Sequence, residues 1–253
     1  MTAPENVPVT ETRVADFAEI VAAGEGVEAP VVVGGHAVNL WSEYYFAKGL
    51  SALAAYLPFT SKDIDLVGPA DLLDRLHKAY NGTLSRSEPR SPVIGRLDVT
   101  RKSGGCLRIE VLHTVNGLDA VELARTMELR IEGIAARVLL PHLILKAKIR
   151  NSISIQQEGR NDVKHVHMMV HCVHAFLEEF ANYVREGQLG ERALVNMLEE
   201  IFEIITSQDA LKATRTWDFD FPQSWPIDVL ESLGVGKISR WLEHRFPDSR
   251  PNA

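Results

Sequence analysis

Long apolar runs are missing from this sequence. No stretch approaches the ~18 consecutive apolar residues of a membrane-spanning helix, so no membrane partner is expected. Cysteine is scarce: Cys106 and Cys172 are the only two. Two distant thiols build no zinc framework and give little reason to expect a disulfide, and a reducing, cytoplasmic setting is the simplest reading. Surplus positive charge is lacking as well. Lys and Arg number 27 against 34 Asp and Glu, for a net charge of -7. The surface as a whole therefore does not attract polyanions, and any nucleic-acid contact needs a local basic cluster. The opening MTAPENVPVTETRV lacks the charged-then-apolar order of a secretory leader, and the closing PDSRPNA reads as a frayed tail. There is no internal repeat and no low-complexity block.

What is present is ordinary globular material. Hydrophobic residues make up 45% and charged residues 24% of 253, enough for one large domain or two modest ones. Val14, Phe17, Ile20 and Val21 fall at helical spacing and predict a helix over 12–24 that ends near Gly24 or Gly26. Val31–Val33 reads as a buried strand. HAVNLWSEYYFAKG reads as a helix closing at Gly49, with helix or loop continuing to Pro58. Lys62–Val67 reads as a strand and 69–80 as a helix starting at Pro69. VIGRLDVT and CLRIEVLHTV read as two strands joined by KSGG. From about Asp119 the pattern becomes mostly helical, with helices over 140–150, 162–183 and 191–207 and further helical material after the WDFDFPQSWP connection. The expected fold class is α+β: a mixed sheet flanked by helices over 1–135, then a helical domain over 136–253.

One constellation carries chemistry. Gly34-Gly35 follows a strand directly. Asp63 and Asp65 alternate with Ile64 and Leu66, and residues i and i+2 of a strand share a face. Two carboxylates so placed repel each other unless a cation lies between them, and hard oxygen ligands favour magnesium or manganese. Glu110 alternates in the same way between Ile109 and Val111. It could ligate a second metal or serve as general base toward an attacking hydroxyl; Asp98, on the preceding strand, is the substitute third acid if Glu110 faces elsewhere. Glycine amides at a helix N-terminus suit phosphate oxygens. Taken singly, a D-x-D strand, a Gly-Gly turn and an exposed strand Glu are each common; their order is the informative part.

VVVGGHAVNLW followed by TSKDIDLVG resembles the nucleotidyltransferase superfamily of the polymerase-beta type, and within it the AbiEii-type toxins and related small bacterial nucleotidyltransferases. The resemblance is specific at 31–40 and 60–68 and weaker at 107–118. It implies that Gly34 and Gly35 match the phosphate-binding turn, Asp63 and Asp65 the metal-binding pair, and Glu110 the third acid, which is more often Asp. Ser61 and Lys62 lie beside the pair, within reach of phosphate. The related toxins carry a lysine on a later helix and a basic residue before an aspartate. Lys146 or Lys148 and the pair Arg160 and Asp162 are the counterparts here, with the helical domain completing the nucleotide and acceptor cleft. The alternative for these cations is a solvated helix face.

The resemblance thus implies a nucleoside triphosphate as donor, Mg2+ or Mn2+ as cofactor, and a hydroxyl acceptor: an RNA 3′ end, a protein or a small molecule. The acidic balance disfavours long nucleic acid and keeps cationic small molecules open. A catalytically weak nucleotide-binding module, or a toxin paired with an antitoxin protein, is the alternative on the same fold. His167, His171 and His174 share a helix face, but only the i, i+4 pair has metal-ligand geometry and no HExxH pattern occurs.

Overall fold

The computed structural model describes residues 11–21, 29–101, 105–131 and 133–246. The chain divides into two compact units: residues up to Ala47 together with Tyr56–Leu140, and Lys48–Ala55 together with the chain from Pro141 onward.

The first unit is α+β, built on a seven-stranded mixed sheet. Its strands are β1 (Val31–Val33), β2 (Asp63–Val67), β3 (Thr83–Arg86), β4 (Val93–Thr100), β5 (Cys106–Leu112), β6 (Thr126–Ile131) and β7 (Ile134–Leu139). They lie in the order β3-β4-β5-β2-β1-β7-β6. The pairs β1/β7 and β2/β5 are parallel, and all other neighbours are antiparallel. The helices of this unit are α1 (Ala18–Val21), α2 (Gly34–Ala47), α3 (Leu72–Tyr80) and α4 (Ala120–Leu123).

Strand β1 is central and buried at all three positions, which is why an all-valine run occupies it. Strands β2 and β5 alternate instead: β2 buries Ile64 and Leu66, and β5 buries Ile109 and Val111. Leu72, Leu73 and Leu76 form the buried stripe of α3, which packs on β4. Helix α2 is buried along most of its length. Its Trp41 is fully covered, donates Nε1–H to the Leu139 carbonyl at 2.8 Å and stacks on Tyr45. The aromatic body fills the core while the one polar atom is satisfied, so α2 is fixed against the end of β7.

The second unit contains α5 (Pro141–Ser154), α6 (Asp162–Arg185), α7 (Glu191–Ile205), α8 (Gln208–Trp217), α9 (Ile227–Ser232) and α10 (Gly236–His244). Helices α5 and α6 pack along their lengths. Val166, Met169, Val173 and Leu177 of α6 and Leu194, Leu198 and Ile201 of α7 supply buried stripes at spacings of three and four.

Several sequence expectations change. The helical region begins later than Asp119: β6 and β7 form a hairpin that completes the sheet, the sheet runs on to Leu139, and the helices follow from Pro141. TMELRI alternates at the strand period, whereas IAARVL does not alternate and is decided by its pairing. Thr83–Arg86 forms a further strand; its partner β4 supplies the pairing that TLSR does not advertise. Helix α3 begins at Leu72, after Pro69. The 12–24 helix starts as a 3-10 turn over Val14–Phe17 before α1, and its expected end at Gly24 or Gly26 lies outside the described residues, as does most of the KSGG turn. Ser207 does not close α7. It caps α8, its hydroxyl accepting from the Ala210 amide, and α8 was not expected from the sequence.

Candidate functional site

The polar face of the sheet is set by strand register. Parallel pairing places Asp63 beside Arg108 and Asp65 beside Glu110. Antiparallel pairing continues these rows to Asp98 and Arg96 on β4, and then to Thr83 and Ser85 on β3. Directly paired residues project to the same face. One row therefore reads Val33, Asp65, Glu110, Arg96, Ser85 across five strands. A second, beside it, reads Asp63, Arg108, Asp98, Thr83. Ile64, Leu66, Ile109 and Leu97, all fully buried, fill the opposite face, so each acid is presented because its neighbours are anchored.

The glycine turn closes onto this row. Val33 ends β1 directly opposite Asp65. Gly34 then turns into α2 with φ +66, and a Cβ built there would lie 1.8 Å from Asp65 Oδ2 and 2.7 Å from its Cγ. The long segment between Gly35 and Asp63 does not separate the two features: the turn and the acid are in contact. Only glycine provides both the left-handed φ and the space for the carboxylate. His36, two residues on, is fully buried. It meets Thr12 Oγ1 at 3.2 Å and Phe17 edge-on, and Thr12 Oγ1 donates to the Ser61 carbonyl at 2.8 Å. Burial lowers the His36 pKa to about 4, with Asp16 opposing weakly. Ser61 is held by two backbone bonds to Thr12, and Lys62 is exposed beside Asp63.

Glu110 is half-buried, and its carboxyl is pushed above the ordinary range. Burial is the main cause and the nearby Asp63 charge the second, opposed by Arg108 and Arg96. Asp98 is committed elsewhere. Arg108 donates Nε to Oδ1 at 2.9 Å and Nη2 to Oδ2 at 3.3 Å, and Arg96 Nε approaches Oδ2 at 3.3 Å. A carboxylate bracketed by two guanidiniums is a poor substitute for Glu110 as the third acid. The two arginines were not singled out from the sequence. The signal was there: RLD on β4 and RIE on β5 each place a cation two residues before an acid, on the same strand face.

Asp63, Asp65 and Glu110 therefore share a face. Among the described residues, however, no three His, Cys, Asp or Glu side chains are gathered closely enough to hold one ion. The donors that are present fit a hard divalent cation: carboxylate oxygens only, one of them packed against a glycine turn, and a neighbouring acid whose ionisation Asp63 opposes.

The later candidates belong to the second unit. Lys148 is buried on α5 and donates Nζ to Asp162 Oδ1 at 2.9 Å; Arg160 donates Nε to Oδ2 at 2.7 Å. The Asp162 carboxyl is held down to about 2. Burial pushes it up, but Lys148 and Arg160 outweigh burial. Lys146 is half-buried, and Arg150 bonds both oxygens of Asp209 at 2.9 Å. Of the two lysines, Lys148 is the one brought to the Arg160 and Asp162 pair. The α6 histidines hold the following connection: His167 lies edge-on to Phe219 at 4.9 Å, and His174 Nδ1 meets the Gln223 carbonyl at 2.9 Å.

No family model and no curated protein matches the chain. Among solved structures, it is similar to the crystal structure of an antigenic nucleotidyltransferase-like protein from Paracoccidioides brasiliensis. The two are 17% identical, the match covers 64% of this chain and 78% of that chain, and the TM-score is 0.42. At that TM-score the likeness decides neither fold nor function, and both are read from the chain's own geometry. No helix among the described residues is long and apolar enough to cross a membrane.

Proposed function

We propose that the first unit transfers a nucleoside monophosphate from a nucleoside triphosphate to a hydroxyl acceptor. The observation that carries the reading is the seating of the Gly34 turn on the Asp65 carboxylate, with Glu110 in register beside it. A phosphate-binding turn in contact with a paired-carboxylate strand has few other uses. Asp63 and Asp65 would hold Mg2+ or Mn2+; when bound, the ion supplies charge neutralisation at the triphosphate oxygens.

The chain's own residues account for the remaining steps. Gly34 and Gly35 present backbone N–H groups at the start of the 14-residue α2, where phosphate oxygens are favoured by free donors and the helix dipole. Glu110, in register beside Asp65, would take the acceptor proton. The acceptor oxygen bonds to the α-phosphorus as its proton passes to Glu110. The bond between the α-phosphorus and the bridging oxygen breaks, and pyrophosphate leaves with the electron pair. Alignment and charge placement supply the rate, as in other phosphoryl transfers. The AbiEii-type affiliation, with an antitoxin protein as partner, belongs to this proposal through the resemblance at 31–40 and 60–68.

The test is titration of nucleoside triphosphates with and without magnesium, followed by incubation of α-labelled triphosphates with RNA, protein and small-molecule acceptors. Magnesium-dependent binding with pyrophosphate release and label transfer is expected. Magnesium-dependent binding without pyrophosphate release would favour a catalytically silent nucleotide-binding module, and absence of binding would overturn the reading.

A further inference from the structure

We infer that Arg96 is an acceptor-positioning residue, and that the acceptor carries a phosphate group next to the hydroxyl that reacts. The inference rests on the nucleotidyl-transfer reading and extends it to the substrate class of the same site.

The row order gives the direction of approach. The glycine turn lies on the β1 side of Asp65, and Glu110 and then Arg96 lie on the β5 and β4 side. Neighbouring strands are ~4.8 Å apart, so Arg96 begins ~10 Å from Asp65, on the side away from the turn. An in-line displacement requires the nucleophile opposite the leaving group. If pyrophosphate leaves toward the glycines, the acceptor enters from β4, past Arg96.

Arg96 is equipped for an anion there. It is directly paired with Glu110, and its side chain is 40% exposed. Asp98 engages its Nε at 3.3 Å, which fixes the guanidinium, while its two terminal nitrogens make no hydrogen bond among the described residues. Arg108, by contrast, is spent on Asp98 through two bonds. A guanidinium held by one edge offers its other donors to a phosphate. A neutral polyol would leave those donors without a charged partner, so the geometry selects an acceptor whose reacting hydroxyl neighbours a phosphate. Ser85, next in the row on β3, adds a hydroxyl donor at the outer end.

The experiment is a titration of the full chain with glycerol 3-phosphate, with a ribodinucleotide bearing a free 3′ hydroxyl, and with glycerol as the neutral control. Each is run in the presence of magnesium and a non-hydrolysable triphosphate analogue, and repeated without them. Wild type should bind at least one phosphate-bearing probe saturably and bind no glycerol. The preferred probe distinguishes a small phosphate monoester from a phosphodiester end. Arg96→Gln should weaken that binding about 10- to 100-fold, the range expected for loss of a charge-assisted hydrogen bond. Arg96→Lys should recover part of it, and neither variant should change affinity for the triphosphate analogue. Equal binding by Arg96→Gln, equal binding of glycerol, or no binding of either phosphate-bearing probe would overturn the inference. Loss of triphosphate binding in wild type would instead overturn the transfer reading, which the analogue titration reports separately.

Discussion

Replacing Gly34 by alanine separates a structural turn from a functional one. The added Cβ has two effects of different size. The first is conformational: φ at Gly34 is +66, and an L residue in the left-handed region costs ~1–2 kcal/mol. The second is steric. The new atom would lie 1.8 Å from Asp65 Oδ2, where contacts under 3.0 Å are not tolerated, so the carboxylate must retreat by roughly 1 Å or more, a misplacement that can cost ~10²-fold in rate. Gly234→Ala is the control, because Gly234 has φ +62 with nothing within 4 Å of its Cβ position. Gly234→Ala should lose ~1–2 kcal/mol in chemical denaturation, and Gly34→Ala at least that much because of the added contact with Asp65. Only Gly34→Ala should lose pyrophosphate release by about 10²-fold and weaken magnesium-dependent triphosphate binding. Full turnover in Gly34→Ala would refute the link between the turn and Asp65 as parts of one site, and equal activity losses in both variants would show that strain alone explains the effect.

Asp65→Asn, nearly isosteric, should lower nucleotidyl transfer by about 10³-fold, equivalent to ~4 kcal/mol, while the magnesium-free melting temperature holds or rises slightly because a carboxylate repulsion is removed; pyrophosphate release and thermal unfolding measured together check both halves. Lys148→Met should destabilise the second unit by ~3–5 kcal/mol, since the buried Asp162 loses its buried cation and keeps only the more exposed Arg160; chemical denaturation of variant and wild type measures it, and a loss below 1 kcal/mol would mean Arg160 alone suffices. The same carboxylate predicts acid sensitivity: its folded pKa of about 2 lies below the ordinary 3.8, so its contribution of about 2 kcal/mol is present above pH ~4 and disappears as pH falls toward 2, a window readable by comparing wild type with Asp162→Asn. His36 predicts a separate window. Its folded pKa of about 4 lies below 6.5, so the unfolded chain takes up a proton first as pH falls, and roughly 3 kcal/mol of stability is lost between pH 6.5 and 4; His36→Gln should show a shallower slope over that interval, and equal slopes would sink the assignment.

The sequence made the site legible where one strand carried its own evidence. Asp63 and Asp65 alternate with two obligatory core residues, so their common face followed from period two alone. Gly34 was legible as a turn, but its contact with Asp65 was not, because that depends on β1 and β2 pairing across the intervening segment. Arg96 and Arg108 escaped although RLD and RIE place each of them two residues before an acid on its own strand face, because the acid each one meets across strands is set by register. The β6–β7 hairpin was hidden for a related reason. TMELRI of the edge strand β6 does alternate, but IAARVL of β7 does not, and only its pairing with β1 on one side and β6 on the other makes it a strand. Arg160 and Asp162 could be nominated as a pair with Lys146 or Lys148 beside them, but which lysine of α5 faced inward depended on packing against α6.

The electrostatics of the polar face explain why a third carboxylate can sit there without a partner of its own kind. Four acids, Asp63, Asp65, Asp98 and Glu110, share it with two arginines. Both arginines engage Asp98, the acid farther from the glycine turn. Their charge reaches Glu110 only in part: burial and Asp63 outweigh them, and the carboxyl rises above its ordinary range. A fold selected for stability alone would spread the cations more evenly, since each unit of pKa shift represents about 1.4 kcal/mol. Concentrating them on Asp98 instead fixes the two guanidiniums and leaves Asp63 and Asp65 as the acids nearest the Gly34 turn. That division of labour matches a site in which negative charge on the donor side is to be met by a hard cation, and negative charge on the acceptor side by Arg96.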